Sequence, residues 1–232
     1  MRFGVIVSSW YYFANPFKLQ PIYELYYATI AQKHLDQNGS VVVYDLRQWR
    51  LMSDLPFEAY LNRFVGEQDV YFYWVMKTAD YPEVEQTVSF LRKKYPKAKH
   101  VAGGTHVELF SNECANVFDT VISGPGDVII QNVIDDYRDG QLLRRYLDDW
   151  NVRTYADSPF PLRDFLPVSS VVNTELFEKY GGVIGTSAML QRGCCFRCAY
   201  CAYNVPHLIQ SRTPSQVIDE VSYLKEKYGI KG

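Results

Sequence analysis

Three things are scarce in this 232-residue chain: net charge, long apolar runs, and cysteine outside one short window. Lysine and arginine number 24 against 26 aspartates and glutamates, with no basic block, so no electrostatic footprint for nucleic acid or an anionic membrane surface is present. Small-molecule chemistry is the class this balance favours. The longest apolar run, Val70-Tyr-Phe-Tyr-Trp-Val-Met76, falls far short of the roughly 20 residues that cross a bilayer. Met1-Arg2 leads straight into Phe3-Gly-Val-Ile-Val-Ser8, without a secretory signal. The chain therefore reads as soluble and cytoplasmic, with no membrane partner. Four of the five cysteines lie between Cys194 and Cys201. That crowding is a poor layout for a disulfide framework and a good one for thiolates on a metal or cluster in a reducing compartment. Cys114 stands alone and reads as a small buried hydrophobe.

What is present is a rhythm. Over the first 140 residues, short β-branched or aromatic runs alternate with longer amphipathic stretches, the βαβ pattern of a parallel sheet covered by helices. Strands are predicted at Phe3–Ser8, Val41–Leu46, Asp69–Val75, Lys99–Ala102 and Thr120–Ser123. Helices are predicted at Ile22–Leu35, Phe57–Val65, Glu83–Tyr95 and Asp127–Tyr137, with Asn38-Gly39 and Asp139-Gly140 as stops. The fold class is α/β, a flavodoxin-like doubly wound sheet. From 141 to 181 no period holds, and Asp157-Ser-Pro-Phe-Pro-Leu-Arg-Asp-Phe-Leu-Pro167 reads as a linker. The rhythm restarts with a buried strand at Gly182–Leu190. A helix follows the cysteines, opened by Thr213-Pro-Ser-Gln216, carrying Val217, Val221, Leu224 and Tyr228, and closed by Gly229. The 19 tyrosines and 13 phenylalanines are spread through strands and helix faces as packing residues.

Cys194, Cys198 and Cys201 are spaced by three and then two residues, so their thiolates can converge on one centre without long-range folding. Soft thiolate sets select zinc or iron-sulfur clusters. A structural zinc would draw its fourth ligand from Cys195, His207 or a distant group. A cluster accepts three protein ligands when a cofactor takes the fourth iron. The stretch Gln191-Arg-Gly-Cys-Cys-Phe-Arg-Cys-Ala-Tyr-Cys201 resembles the signature of radical S-adenosylmethionine enzymes. The resemblance implies that Cys194, Cys198 and Cys201 hold a 4Fe-4S cluster and that Tyr200 lies near the adenine of S-adenosylmethionine. It further implies reductive cleavage of that cofactor to a deoxyadenosyl radical. Cys195 then reads as a spectator and His207 as a loop histidine.

Two glycine turns follow predicted strands, Val101-Ala-Gly-Gly-Thr-His106 and Val121-Ile-Ser-Gly-Pro-Gly-Asp127, where ligands of open α/β sheets sit. Alone they read as tight turns, with Asp127 as a helix cap. Ahead of a radical loop they resemble the cobalamin-binding domain of cobalamin-dependent radical enzymes, as do Pro21–Ile30 and Tyr44-Asp45. That likeness implies cobalamin contacts at Gly103, Gly104, Ser123 and Gly124. His106 reads as a turn residue beside the ligand, and His34 and His100 as surface or packing residues. Ser8-Ser-Trp-Tyr-Tyr-Phe13 replaces the family's Asp-x-His-x-x-Gly, so no histidine ligand to cobalt is expected. Gly124-Pro-Gly-Asp127 also lacks the glutamates the family carries there.

Residues 1–140 are thus expected to form a cobalamin-binding-like domain and 141–181 a linker. Residues 182–232 are expected to form the first β/α unit of an incomplete radical barrel, since a full barrel needs on the order of 200 residues. The chain reads as the N-terminal part of a longer enzyme, inactive alone. The implied reaction is methyl transfer to an unactivated carbon of a small-molecule or peptide substrate, with flavodoxin or ferredoxin as electron donor. A cobalamin-carrying or regulatory module with a vestigial cluster loop and a zinc-stabilised α/β protein are the alternatives.

Overall fold

The five expected β runs become five parallel strands, and a sixth joins them. A computed structural model of the protein describes residues 1–149, 155–172, 184–201 and 208–231. In chain order its first unit runs β1 (Arg2–Val7), α1 (Ile22–His34), β2 (Ser40–Asp45), α2 (Arg47–Met52), α3 (Phe57–Phe64) and β3 (Val70–Trp74). It continues with α4 (Tyr81–Lys94), β4 (Lys99–Gly103), α5 (Thr105–Leu109), α6 (Ser111–Val117), β5 (Thr120–Ser123), α7 (Ile129–Arg138) and β6 (Arg145–Leu147). The sheet order is β2-β1-β3-β4-β5-β6, all parallel, consistent with a flavodoxin-like fold. The chain reverses its direction across the sheet between β1 and β3, the switch point at which such sheets open a crevice.

Central strands buried on both faces carry continuous apolar runs. In β3, Val70, Tyr71, Phe72 and Tyr73 are all buried, whereas the edge strand β6 buries only Tyr146. One core lies against α1 and α7, built on Phe3, Val5, Phe72, Val101 and Ile122. The other lies against α3, α4 and α6, built on Ile6, Tyr71, Tyr73 and Val121. Cys114 belongs to this second core and is fully buried, as expected of a small hydrophobe.

The stretch expected as a linker is packed in its described parts. β6 extends the sheet beyond residue 140, and Tyr155, Leu166 and Val171 enter the α1-side core, Val171 from α8 (Val168–Val171). The Leu162 N–H donates to Thr29 Oγ1 at 2.9 Å. Covered from above and below, α1 is buried at every residue from Glu24 to Ala31. The segment shows no period because it buries isolated anchors and not a repeating face.

Beyond it lie the antiparallel pair β7 (Gln191–Gly193) and β8 (Ile209–Ser211), then α9 (Pro214–Tyr228). Gly182, Val183 and His207 lie outside the described residues. Over residues 184–190 the expected strand shrinks to a single bridge residue, Gly185. Side chains take the carbonyls that a neighbouring strand would otherwise bind. Arg163 Nη2 donates to the Ser187 carbonyl at 2.6 Å, and Tyr155 Oη and Arg212 Nε donate to that of Met189 at 2.7 and 3.0 Å.

The α9 cap is formed as its sequence predicts. Thr213 Oγ1 accepts from the Gln216 N–H, Gln216 Oε1 accepts from the Thr213 N–H, and Gly229 closes the helix at φ 64°. Its expected apolar face is only partly used. Leu224 is buried, Val217 and Tyr228 are half-buried, and Val221 is exposed. The buried face is completed by Glu220, whose carboxylate lies 2.8 Å from the buried Arg163 guanidinium. After α9 the Lys231 N–H returns to the Ile184 carbonyl at 2.8 Å.

Candidate functional site

The cysteine loop leaves β7 at Gly193. Cys194 is half-buried, whereas Cys195, Cys198 and Cys201 are exposed, and none of them is in a disulfide. The Phe196 N–H donates to Cys194 Sγ at 3.4 Å. The Cys201 N–H donates to the Cys198 carbonyl at 3.0 Å, so one turn joins the last two cysteines. Tyr200 is 90% exposed and Phe196 71%, leaving the loop's aromatic groups in solvent. Among the described residues no three His, Cys, Asp or Glu side chains are gathered closely enough to hold a metal ion. The donor set itself, three accessible thiols in one loop with an amide donor on the first, fits a cluster held by three protein ligands.

One buried arginine fixes this loop against the α/β unit. Arg192, in β7, is paired through Nη1 with Asp127 in the turn after β5. Its Nε and Nη2 donate to Gln210 Oε1 in β8 at 3.0 and 2.8 Å, and its guanidinium lies 4.9 Å from the Tyr155 ring centroid. Arg212, after β8, lies against the same ring at 4.3 Å and donates to the carbonyls of Met189, Ser158 and Pro159. Asp127 thus serves as the partner of Arg192; α7 begins at Ile129 with no side-chain cap. Nothing local in the sequence signals a pair separated by 65 residues.

Between the hairpin and the carboxyl ends of the strands lies a cavity of about 370 Å³. Tyr23, Tyr26 and Trp74 form aromatic walls, Thr105 and Pro125 come from the two glycine turns, and Gly193 brings the start of the cysteine loop. The regions singled out in the sequence are therefore neighbours. Ser123 is half-buried in β5, its carbonyl accepting from the Asp148 N–H at 2.9 Å.

The glycines themselves do not face this cavity with open backbone. A Cβ at Gly103 would lie 2.6 Å from Trp74 Cζ3, and one at Gly104, where φ is 102°, would lie 2.6 Å from the Val75 carbonyl oxygen. A Cβ at Gly124 would run into the Asp148 carbonyl that follows β6. These turns are glycine because the chain's own atoms come close. The residues around Gly103 and Gly124 do not fit the nucleotide tail of cobalamin.

His106 and His100 are packed inside the α/β unit. His106 is buried in α5, its Nδ1 3.1 Å from Thr78 Oγ1 and its ring 4.3 Å from that of Tyr81, where burial lowers its pKa. It packs into its own unit, next to Thr105, which lines the cavity. His100 is fully buried between Tyr71 and Tyr73, its Nδ1 3.0 Å from Tyr73 Oη, and burial brings its pKa down to about 4.

Sequence reasoning missed the acidic groups at the switch point. The Ser9 N–H donates to Glu83 Oε1 at 2.7 Å, and Glu24, Asp80 and Glu83 all have pKa values raised, first of all by burial. Glu24 stands at about 7 against an ordinary 4.5, Arg47 offsetting part of the rise. The folded chain thus holds this proton more tightly than the unfolded chain. Its contribution is fully present below about pH 4.5 and is lost as pH rises toward 7. Glu24→Gln is therefore expected to raise stability at pH 8 by on the order of 2–3 kcal/mol, with little effect at pH 4.5. Urea midpoints at the two pH values measure this, and an equal shift at both would exclude the linkage.

No helix among the described residues is long and apolar enough to cross a membrane. No protein-family model matches the chain, and no curated protein matches it.

Proposed function

We propose that this chain carries the cluster loop of a radical S-adenosylmethionine enzyme, working in the cytoplasm. Cys194, Cys198 and Cys201 would hold a 4Fe-4S cluster, leaving one iron for S-adenosylmethionine, with Tyr200 beside the adenine. When bound, the pair supplies one-electron reductive cleavage of the cofactor to a deoxyadenosyl radical. The observation that carries the reading is the spacing of three accessible thiols in one loop, which leaves a hairpin held by Arg192 beside an aromatic cavity at the carboxyl edge of the sheet.

The chain's own residues would hold and orient the loop. The Phe196 N–H holds the Cys194 sulfur in place, and the Arg192–Asp127 pair holds the hairpin in register with the turn after β5. Tyr23, Tyr26 and Trp74 wall the cavity that Gly193, just before Cys194, also lines. The exposed outer side, with Cys198 and Phe196, is where an electron donor such as flavodoxin or ferredoxin would approach. The substrate would be a small molecule or a peptide. No step is routed through cobalamin, since the turns that would receive its tail are filled.

Anaerobic reconstitution with iron and sulfide tests the proposal. The reduced protein is expected to give a 4Fe-4S electron paramagnetic resonance signal that changes when S-adenosylmethionine is added. Zinc without iron in the anaerobically purified protein would return it to the class of metal-stabilised α/β proteins.

A further inference from the structure

The α/β unit has the strand order of a cofactor carrier, yet its glycine slot is occupied from within. In the β3–β4 register Trp74 stands directly opposite Gly103, so both project from the same face of the sheet. The indole fills the place of the missing side chain, with Cζ3 and Cε3 at 2.6 and 3.0 Å from where a Cβ would stand. An aromatic ring over a strand glycine restores the packing that glycine forfeits, so Gly103 is explained without any ligand.

The ring is held from its other sides. Its centroid lies 4.3 Å from that of Tyr27 and 6.3 Å from that of Phe72, while Tyr27 Oη donates to the Pro125 carbonyl at 2.6 Å. A Cβ at Gly126 would touch Tyr27 at 3.5 Å and Trp74 at 3.6 Å, so the second glycine turn rests on the same two rings. Above them remains the cavity of about 370 Å³, near the low end of the roughly 300–1,000 Å³ that hold drug-sized ligands, and cobalamin is larger than these.

We infer that this α/β unit is closed to cobalamin, with Trp74 as the plug, and that it serves as the scaffold on which the cysteine hairpin is mounted. The inference goes beyond the cluster reading and does not depend on it.

Two measurements on the full chain test it. In the first, the protein is equilibrated anaerobically in the dark with hydroxocobalamin and passed through a desalting column, and the eluted protein is scanned for corrin absorption. No corrin is expected to co-elute; one equivalent retained would overturn the inference. Iron content is read on the same sample, so failure to load a cluster cannot pass for either result.

The second measurement uses the ligand-free chain. Gly103→Ala must push into the held indole and is expected to lower the melting temperature by about 3–10 °C, the shift of an overpacked core position in a chain of this length. In a Trp74→Leu background the same change is expected to cost less than half as much. A silent Gly103→Ala in the parent chain would mean that the slot is open and Trp74 is no plug.

Discussion

Replacing Cys198 with alanine is expected to abolish cluster assembly and leave the fold intact. Reconstituted iron should fall to background, while circular dichroism and the melting temperature stay close to those of the parent. Both halves follow from position. Cys198 is exposed on the loop and buries nothing in either core, so its loss as a structural residue falls within the roughly 0.5 kcal/mol typical of surface substitutions. As a ligand it would be one of three, and the exposed Cys195 is the neighbouring thiol that would have to take its place. Cys195→Ala is the control and is expected to leave iron content unchanged. A full cluster signal in Cys198→Ala would overturn the assignment of ligands. Loss of iron in Cys195→Ala alone would move the ligand set by one residue.

The parallel sheet was legible because its strands are buried on both faces and so carry unbroken apolar runs. Val70–Trp74 and Thr120–Ser123 are recognisable without knowing their neighbours. The cap of α9 was legible for a different reason: Thr213, Pro214, Gln216 and Gly229 act within one turn of each end, so the chemistry is local. What stayed hidden was non-local. β6 is three residues long with one buried side chain, too short to show a period. Residues 184–190 read as a strand from their composition, but arginines brought from elsewhere in the chain satisfy their carbonyls. The same holds at the site. The cysteine spacing is visible in the sequence, whereas the partner of Arg192 and the indole facing Gly103 appear only when β3, β4 and the turn after β5 stand side by side. The acidic pKa shifts at Glu24 and Asp80 likewise arise from burial, which no motif encodes.

The mounting of the hairpin yields the other large effect. Arg192→Ala removes the guanidinium from the buried Asp127 carboxylate, both bonds to Gln210 and the contact with the Tyr155 ring. Truncating one partner of such a pair costs about 3–5 kcal/mol. The urea midpoint is expected to fall accordingly. Arg192→Lys is expected to rescue little, because a single ammonium cannot serve Asp127 and Gln210 together as the guanidinium fork does. Adding Asp127→Asn to Arg192→Ala should restore part of the loss, since the buried charge then disappears. The effect also has a functional face. Arg192 precedes Cys194 by two residues, so a hairpin loosened from the sheet also loosens the first cysteine of the loop. A reconstituted cluster in Arg192→Ala is expected to release iron to a chelator several-fold faster than in the parent, at a denaturant concentration where both are folded. Unchanged release alongside the lowered midpoint would make the pair a stabilising contact only, with no part in holding the cluster.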